Sequence, residues 1–348
     1  MACAARHAPD QTMTIAHADL GQPALIGLDW GTTALRAYLF DAAGRVLATH
    51  ASAAGIMTLH QPGDFDAVFE EACGPWLAQA PDLPVIAAGM VGSAQGWREA
   101  PYVDAPATAD ALVRGIVHVA TARAGTVHIV PGVIERGELP NVMRGEETQI
   151  VGALAGDPTL GGARAGVLVG LPGTHAKWAV VRGERIEAFH TFMTGELFAA
   201  LRHHTILGRT MRDADAPDAA TFLRGVEVAR RTDRAGLLAT IFSTRTLGLT
   251  AQLTAEQQPE YLSGLLIGHE LAGLNALLTA RGTTLAAEPL RLIGSPELCE
   301  RYRLALAAFG CAHATIVEAA TERGLWRIAT QAGLVAAREA ASEARPDA

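Results

Sequence analysis

Long apolar runs are missing from this 348-residue chain. None approaches the roughly 18 residues a membrane span requires, so no membrane partner is expected. Cysteine is scarce: Cys3, Cys73, Cys299 and Cys311 stand far apart with no Cys-x-x-Cys pair. That excludes a zinc ribbon or a disulfide framework and fits reduced thiols in the cytoplasm. Basic charge is also short, with 28 Lys and Arg against 36 Asp and Glu, a net charge of −8. Without a local basic cluster such a chain repels polyphosphate backbones, which argues against nucleic acid as a partner. No Walker pattern and no strand followed by Gly-x-Gly-x-x-Gly is present, so the P-loop and dinucleotide-fold readings lose their usual support. Residues 1–23 lack the apolar centre of a secretory leader and read as a loose polar extension, with Met13 an alternative start.

What is present suits a globular α/β protein of about two domains. "ALIGLDW", "ALRAYLFD" and "VLATHAS" are strand-like runs separated by Gly-Thr-Thr and Asp-Ala-Ala-Gly turns. Downstream, "GVLVGLPGTHAKWAVVRGERIEAFHTF" gives the same strand, turn, strand, turn, strand order. Gly31-Thr32-Thr33 then falls on Gly173-Thr174-His175, 142 residues later, with Leu35 set against Lys177, Arg36 against Trp178 and Leu39 against Val181. A period this long is not a solenoid repeat and suggests a duplicated domain. The expected lobes are 24–158 and 159–348. After the second hairpin the chain turns helix-rich through "GELFAALRHHTILG", "DAATFLRGVEVARR", "GLLATIFSTRTL" and "EYLSGLLIGHELAGLNALL".

Four segments carry candidate chemistry. In the first hairpin, hydroxyls and successive N–H groups of a tight Gly turn suit phosphate oxygens, and Asp29 just upstream suits a Mg²⁺ ion held through water. Ordinary hairpin chemistry explains Asp-Trp-Gly-Thr equally. The second hairpin offers the matching Gly-Thr turn; Lys177 there reads either as neutralising phosphate or as lying on a solvated face. In "PNVMRGEETQIVGAL", Gly145 opens a helix whose first turn holds Glu146 and Glu147, where the macrodipole favours ionised carboxylates able to orient a hydroxyl. Glu147 shares a face with Ile150, Val151 and Leu154 and is expected to point inward, while simple capping acids remain the alternative. In "LIGSPELCERYRLALAAF", Ser295 is a good N-cap and Pro296 suits the first helical position, while Gly294 allows a flat base to approach. On the substrate side, Trp97, Arg98 and Tyr102 lie in a Gly/Pro-rich loop; Arg98 and Arg144 are candidate forks for a carboxylate, and Glu196 opens an amphipathic helix. The adjacent His203 and His204 cannot both face one metal, so no metal site is read there.

Taken in order, Asp29-Trp-Gly-Thr-Thr, Gly145-Glu-Glu, Gly173-Thr-His and Gly294-Ser-Pro resemble the first phosphate, catalytic, second phosphate and adenosine segments of the actin-like sugar-kinase superfamily. Together with "GMVGSAQGWREAPY" and "FMTGELFAALRHHTILG", they are similar more closely to the 2-dehydro-3-deoxygalactonokinase family, over roughly Leu25 to Gly333. The resemblance implies two similar actin-like (ribonuclease H-like) lobes with an ATP cleft between them. It also implies transfer of the γ-phosphate of ATP to the 6-hydroxyl of 2-dehydro-3-deoxy-D-galactonate in galactonate or galactose catabolism. Asp29 would hold Mg²⁺ through water, Thr32 and Thr33 would meet the transferred phosphate, and Gly173, Thr174 and His175 would line its other side. Related kinases use an Asp after a Gly as base; here the choice lies between Glu146 and Glu147, with Glu146 preferred because it directly follows Gly145. A kinase for another sugar acid, a polyphosphate phosphatase and a non-catalytic nucleotide-binding protein are the rival readings. Oligomeric state stays open, a homodimer included.

Overall fold

In the structure, a computed structural model that describes residues 21–61, 63–121, 125–157, 160, 166–231 and 236–336, both apolar hairpins form where the sequence puts them. The expected extension falls outside those residues up to position 20, as do Cys3 and Met13. The first hairpin supplies β1 (Pro23–Trp30), β2 (Leu35–Asp41) and β3 (Val46–Ser52), followed by α1 (Asp64–Leu77), β4 (Val85–Ala88), β5 (Val103–Asp104), β6 (Ala107–Thr108), α2 (Ala109–Arg114), β7 (Val117–Thr121) and β8 (Gly125–Ile129). Then come β9 (Val133–Glu135), β10 (Asn141–Met143), α3 (Glu146–Gly156), and the second hairpin as β11 (Val167–Leu171), β12 (Ala176–Arg182) and β13 (Arg185–Phe192). The remainder is α4 (Thr194–His204), α5 (Ala219–Arg231), α6 (Gly236–Thr240), α7 (Ser243–Leu249), α8 (Gln257–Ala280), β14 (Leu290–Leu292), α9 (Pro296–Ala308), β15 (Thr315–Ile316) and α10 (Ala320–Gln331).

Two compact units result, the first drawing its described residues from Met1–Tyr102, Ala109–Gly132 and Thr321–Ala348, the second from Val103–Thr108 and Val133–Ala320. The first holds a six-stranded sheet ordered β3-β2-β1-β4-β8-β7, the second one ordered β15-β14-β11-β12-β13-β6 plus a three-stranded sheet β10-β9-β5. Each large sheet contains an antiparallel hairpin triplet whose first strand runs parallel to the next strand in the sheet, β4 beside β1 and β14 beside β11. The repeated order is that of the actin-like fold, two α/β units of one topology. The division differs from the boundary drawn at 158. Residues 133–157, α3 included, stay with the second unit because Glu135 and Asn141 accept bonds from the Phe189 and Thr191 amides (2.7 and 3.2 Å) and Arg291 pairs with Asp157 at 3.1 Å. Helix α10 belongs with the first unit: Trp326 lies 5.9 Å from the Phe40 ring, and Leu325 meets β1 at Gly27.

Register sharpens the duplication. Leu35 closes the first hairpin opposite Trp30 and Lys177 closes the second opposite Leu171, so Leu35, Arg36 and Leu39 correspond to Lys177, Trp178 and Val181. Residues 31–34 separate the closing pair of the first hairpin and 172–176 that of the second, one residue more, so the first strands match at an offset of 141. Gly170 therefore stands where Asp29 stands in the first unit, and a Cβ there would lie 2.6 Å from the Trp178 ring.

The expected single helix over "GLLATIFSTRTL" is two short ones, α6 and α7. The Thr240 hydroxyl bonds back to the Gly236 and Leu237 carbonyls (3.0 and 3.2 Å) and to His269 (2.7 Å), offering the backbone an alternative to continuation. Helix α8 corrects another expectation. At 24 residues it is long and apolar enough to cross a membrane by length and composition. It is instead the core helix of the second unit. Its Glu260 is bonded by both nitrogens of the Arg301 fork (2.7 and 2.8 Å), and Glu270 is buried among three donors.

Candidate active site

The first Gly-Thr turn is a tight loop at the end of β1. The Gly31 amide donates to the Ala34 carbonyl (2.9 Å), and the Ile56 and Met57 amides donate to the Gly31 and Thr32 carbonyls (both 3.1 Å). Gly55 lies directly on the loop: a Cβ there would come within 2.3 Å of the Thr33 backbone. Thr32 and Thr33 are left exposed at the tip, above a fully buried Trp30 whose indole donates to the Ala54 carbonyl at 2.8 Å.

The second turn is braced by the same device. Here the Glu196 amide donates to the Thr174 carbonyl (3.0 Å), and a Cβ on Gly195 would sit 2.4 Å from the Gly173 carbonyl oxygen. Thr174 and His175 are exposed, and His175 pairs with the Glu196 carboxylate. A glycine just past the third strand thus anchors each loop, Gly55 in the first unit and Gly195 in the second.

Helix α3 begins at Gly145, whose φ of 109° is open to glycine alone at little cost. This backbone turns the two acids apart. The Glu146 side chain is 24% exposed; one oxygen accepts from the Arg144 amide (2.9 Å) and the other faces the Lys177 ammonium at 3.2 Å. Glu147 is fully buried, as its shared face with Ile150 and Val151 predicts. It accepts from the Gly145 amide (2.7 Å) and the Thr148 hydroxyl (3.0 Å). Burial pushes its carboxyl up to about 7 and the neighbouring Glu146 carboxylate adds to the rise, against the lowering effect of those bonds. The expectation that the helix dipole keeps both acids readily ionised therefore fails for Glu147, because loss of water outweighs a half-charge dipole.

Lys177 lies on no solvated face: it is 5% exposed and also donates to the His175 carbonyl at 2.9 Å. Arg144 is buried beside α3, whereas Arg98 is exposed in the first unit. Trp97 packs rather than presenting itself, 5.9 Å from Trp30, 6.0 Å from Phe65 and 5.6 Å from Phe69. Tyr102 is 38% exposed.

A cavity of about 530 Å³ opens beside the second turn, lined by Gly173 and Thr174 at one end and by Phe198, Glu260, Leu298 and Arg301 along its walls. Gly294 and Ser295 do not line it. Ser295 caps α9 by accepting from the Leu298 amide, with Pro296 in the first turn, and Gly294 packs against Pro172 and Cys299. Helix α9 then presents Leu298, Arg301 and Tyr302 to the cavity. Behind its wall Glu270 accepts from the Trp178 indole and the Tyr302 hydroxyl (both 2.7 Å) and from the Thr194 hydroxyl, and burial pushes its carboxyl up. Sequence reading missed this wall because its residues come from α4, α8 and α9, whose patterns are those of ordinary packed helices.

Among the described residues no cluster of three His, Cys, Asp or Glu can cage a metal. Asp29, a quarter exposed at the end of β1 and 3.8 Å from Arg36, is a single carboxylate. That fits Mg²⁺, which keeps several waters and takes one or two carboxylates plus substrate phosphates.

Comparison with known proteins gives consistent results. A sequence-family profile described as 2-keto-3-deoxy-galactonokinase matches residues 29–328. A Rhizobium meliloti protein named as a probable 2-dehydro-3-deoxygalactonokinase is 38% identical over 288 residues, 81% of this chain and 89% of the relative. The 2-dehydro-3-deoxygalactonokinase of Escherichia coli is 34% identical over 287 residues, 82% and 90% of the two chains. A crystal structure from Sinorhizobium meliloti, described as a candidate 2-dehydro-3-deoxygalactonokinase, superposes with a TM-score of 0.76 at 34% identity, covering 88% of this chain and 98% of its own.

Proposed function

The chain belongs to the 2-keto-3-deoxy-galactonokinase family and is an ATP-using phosphotransferase with an alcohol acceptor, and we propose that the acceptor is the 6-hydroxyl of 2-dehydro-3-deoxy-D-galactonate. The observation that carries this reading is the joining, in one ion-paired network, of a partly exposed carboxylate at a helix start with a phosphate-type Gly-Thr turn that borders a nucleoside-sized cavity.

Glu146 is the base. It reaches solvent, whereas Glu147 is sealed beneath it. It orients the acceptor hydroxyl and takes its proton as the hydroxyl oxygen bonds to the γ-phosphorus and the bond from phosphorus to the β–γ bridging oxygen breaks, releasing ADP. A modest base suffices, since phosphoryl transfer is mainly positioning and charge neutralisation. Thr174 and the backbone of Gly173 bind phosphate oxygens, with His175 held toward them by Glu196; Thr32 and Thr33 of the first turn contact the transferred group. The nucleoside occupies the cavity, stacked along Phe198 and Leu298, so the adenosine segment acts through the helix that Ser295 caps. Mg²⁺, held by Asp29 through water, supplies charge neutralisation on the phosphates when bound. Arg144 and Arg98 are the remaining candidates for the substrate carboxylate, with Trp97 and Tyr102 supporting the substrate loop. The sugar acid and ATP are the partners, in the cytoplasm.

ADP formation measured with and without 2-dehydro-3-deoxygalactonate tests the activity, and a panel of epimeric 2-keto-3-deoxy sugar acids tests the substrate. Equal ADP rates in both tubes would sink the acceptor assignment.

A further inference from the structure

Lys177 is the single lysine of the chain, all other 27 of its 28 basic side chains being arginine. It occupies the hairpin position that holds the buried Leu35 in the first unit, so the second unit has put an ammonium where the duplicated fold asks for an aliphatic side chain. Taking a charge out of water there costs several kcal/mol unless partners replace the water. The partners are specific: the His175 carbonyl within the second Gly-Thr turn at 2.9 Å, and Glu146 Oε1 at the start of α3 at 3.2 Å. The second Glu146 oxygen is already bonded to the Arg144 amide, so the carboxylate is held at both ends. A lysine ammonium is a compact charge whose three rotatable donors can serve both partners at once.

We propose that Lys177 is a positioning residue for phosphoryl transfer, tying the Glu146 carboxylate to the turn that carries Gly173, Thr174 and His175. Base and phosphate turn then keep one register, fixed by a side chain that need touch neither substrate. This rests on Glu146 being the base.

The uniqueness of Lys177 provides a direct probe. Protein labelled biosynthetically with ¹³Cε-lysine gives one side-chain resonance, and Glu146→Gln is expected to shift it; an unmoved resonance means that the ion pair is absent in solution and overturns the proposal. Kinetics supply the second arm. Lys177→Met is expected to lower kcat by about 10²-fold, the cost of a misplaced reacting group, with the KM for ATP changed less than threefold. In the Glu146→Gln background the same substitution should cost no further kcat, because the group it positions is gone. A raised KM for ATP with unchanged kcat would make Lys177 a phosphate ligand instead, and equal losses in both backgrounds would show action independent of Glu146; either outcome overturns the proposal. If Lys177→Met does not fold, Lys177→Gln carries the same cycle. Failure of the underlying reading looks different: Glu146→Gln by itself then retains full turnover.

Discussion

Replacing Glu147 by Gln should stabilise the protein, and by more at pH 8 than at pH 5. The folded carboxyl sits near 7 against 4.5 for the ordinary group, raised first by burial and then by Glu146. Between those values the folded chain keeps a proton that the unfolded chain releases, so wild-type stability falls as pH rises from about 4.5 through about 7. Below 4.5 both states are protonated and the cost is absent; above 7 it is fully present, about 3 kcal/mol at 1.4 kcal/mol per pH decade. Glutamine cannot ionise, yet its carbonyl can still accept from the Gly145 amide and its amide can donate to the Thr148 hydroxyl, so the packing survives. The gap between variant and wild type should therefore widen by about 2 to 3 kcal/mol from pH 5 to pH 8. Glu270, also raised by burial, tilts both proteins alike and cancels in the difference. Urea unfolding followed by tryptophan fluorescence at the two pH values measures it. A gap independent of pH, or one that narrows toward pH 8, refutes the reasoning and places Glu147 in a wetter or better-compensated site.

Two further predictions concern the loops. Asp29→Asn should abolish turnover in a protein that still melts cooperatively; a variant that loses turnover only by unfolding would contradict this, and thermal melting separates the two. Gly195→Ala forces a Cβ to within 2.4 Å of the Gly173 carbonyl, so the second turn must move, and kcat/KM for ATP should fall by about 10²-fold in a protein that still melts cooperatively. Unchanged ATP kinetics in that variant would show that the brace does not set the loop.

Local chemistry made much of the fold legible. Period-two apolar patterning and Gly-centred turns fix strands and hairpins within a few residues of chain, so the triplets at Pro23–Ser52 and Val167–Phe192 and the match of Leu35 to Lys177 could be read directly. Ser295 as a cap and Glu147 as an inward-facing acid belong to the same class, because helix periodicity and capping act over one or two turns. Position 158 as a boundary did not survive, because unit membership of α3 and α10 depends on pairing between segments distant in sequence, such as Glu135 with Phe189 and Trp326 with Phe40. The cavity wall was equally invisible, being assembled from three helices with no shared motif.

The electrostatic character of the site was the part that only tertiary structure decided. Sequence placed two adjacent glutamates at a helix start, Glu147 facing inward, and a lysine in a strand, but not how much water each charge keeps or which groups surround it. Folding removed water from Glu147 and Lys177 and left it at Glu146, and a charge's proton affinity and partners follow from the water it keeps and the groups packed around it, which residues far along the chain supply.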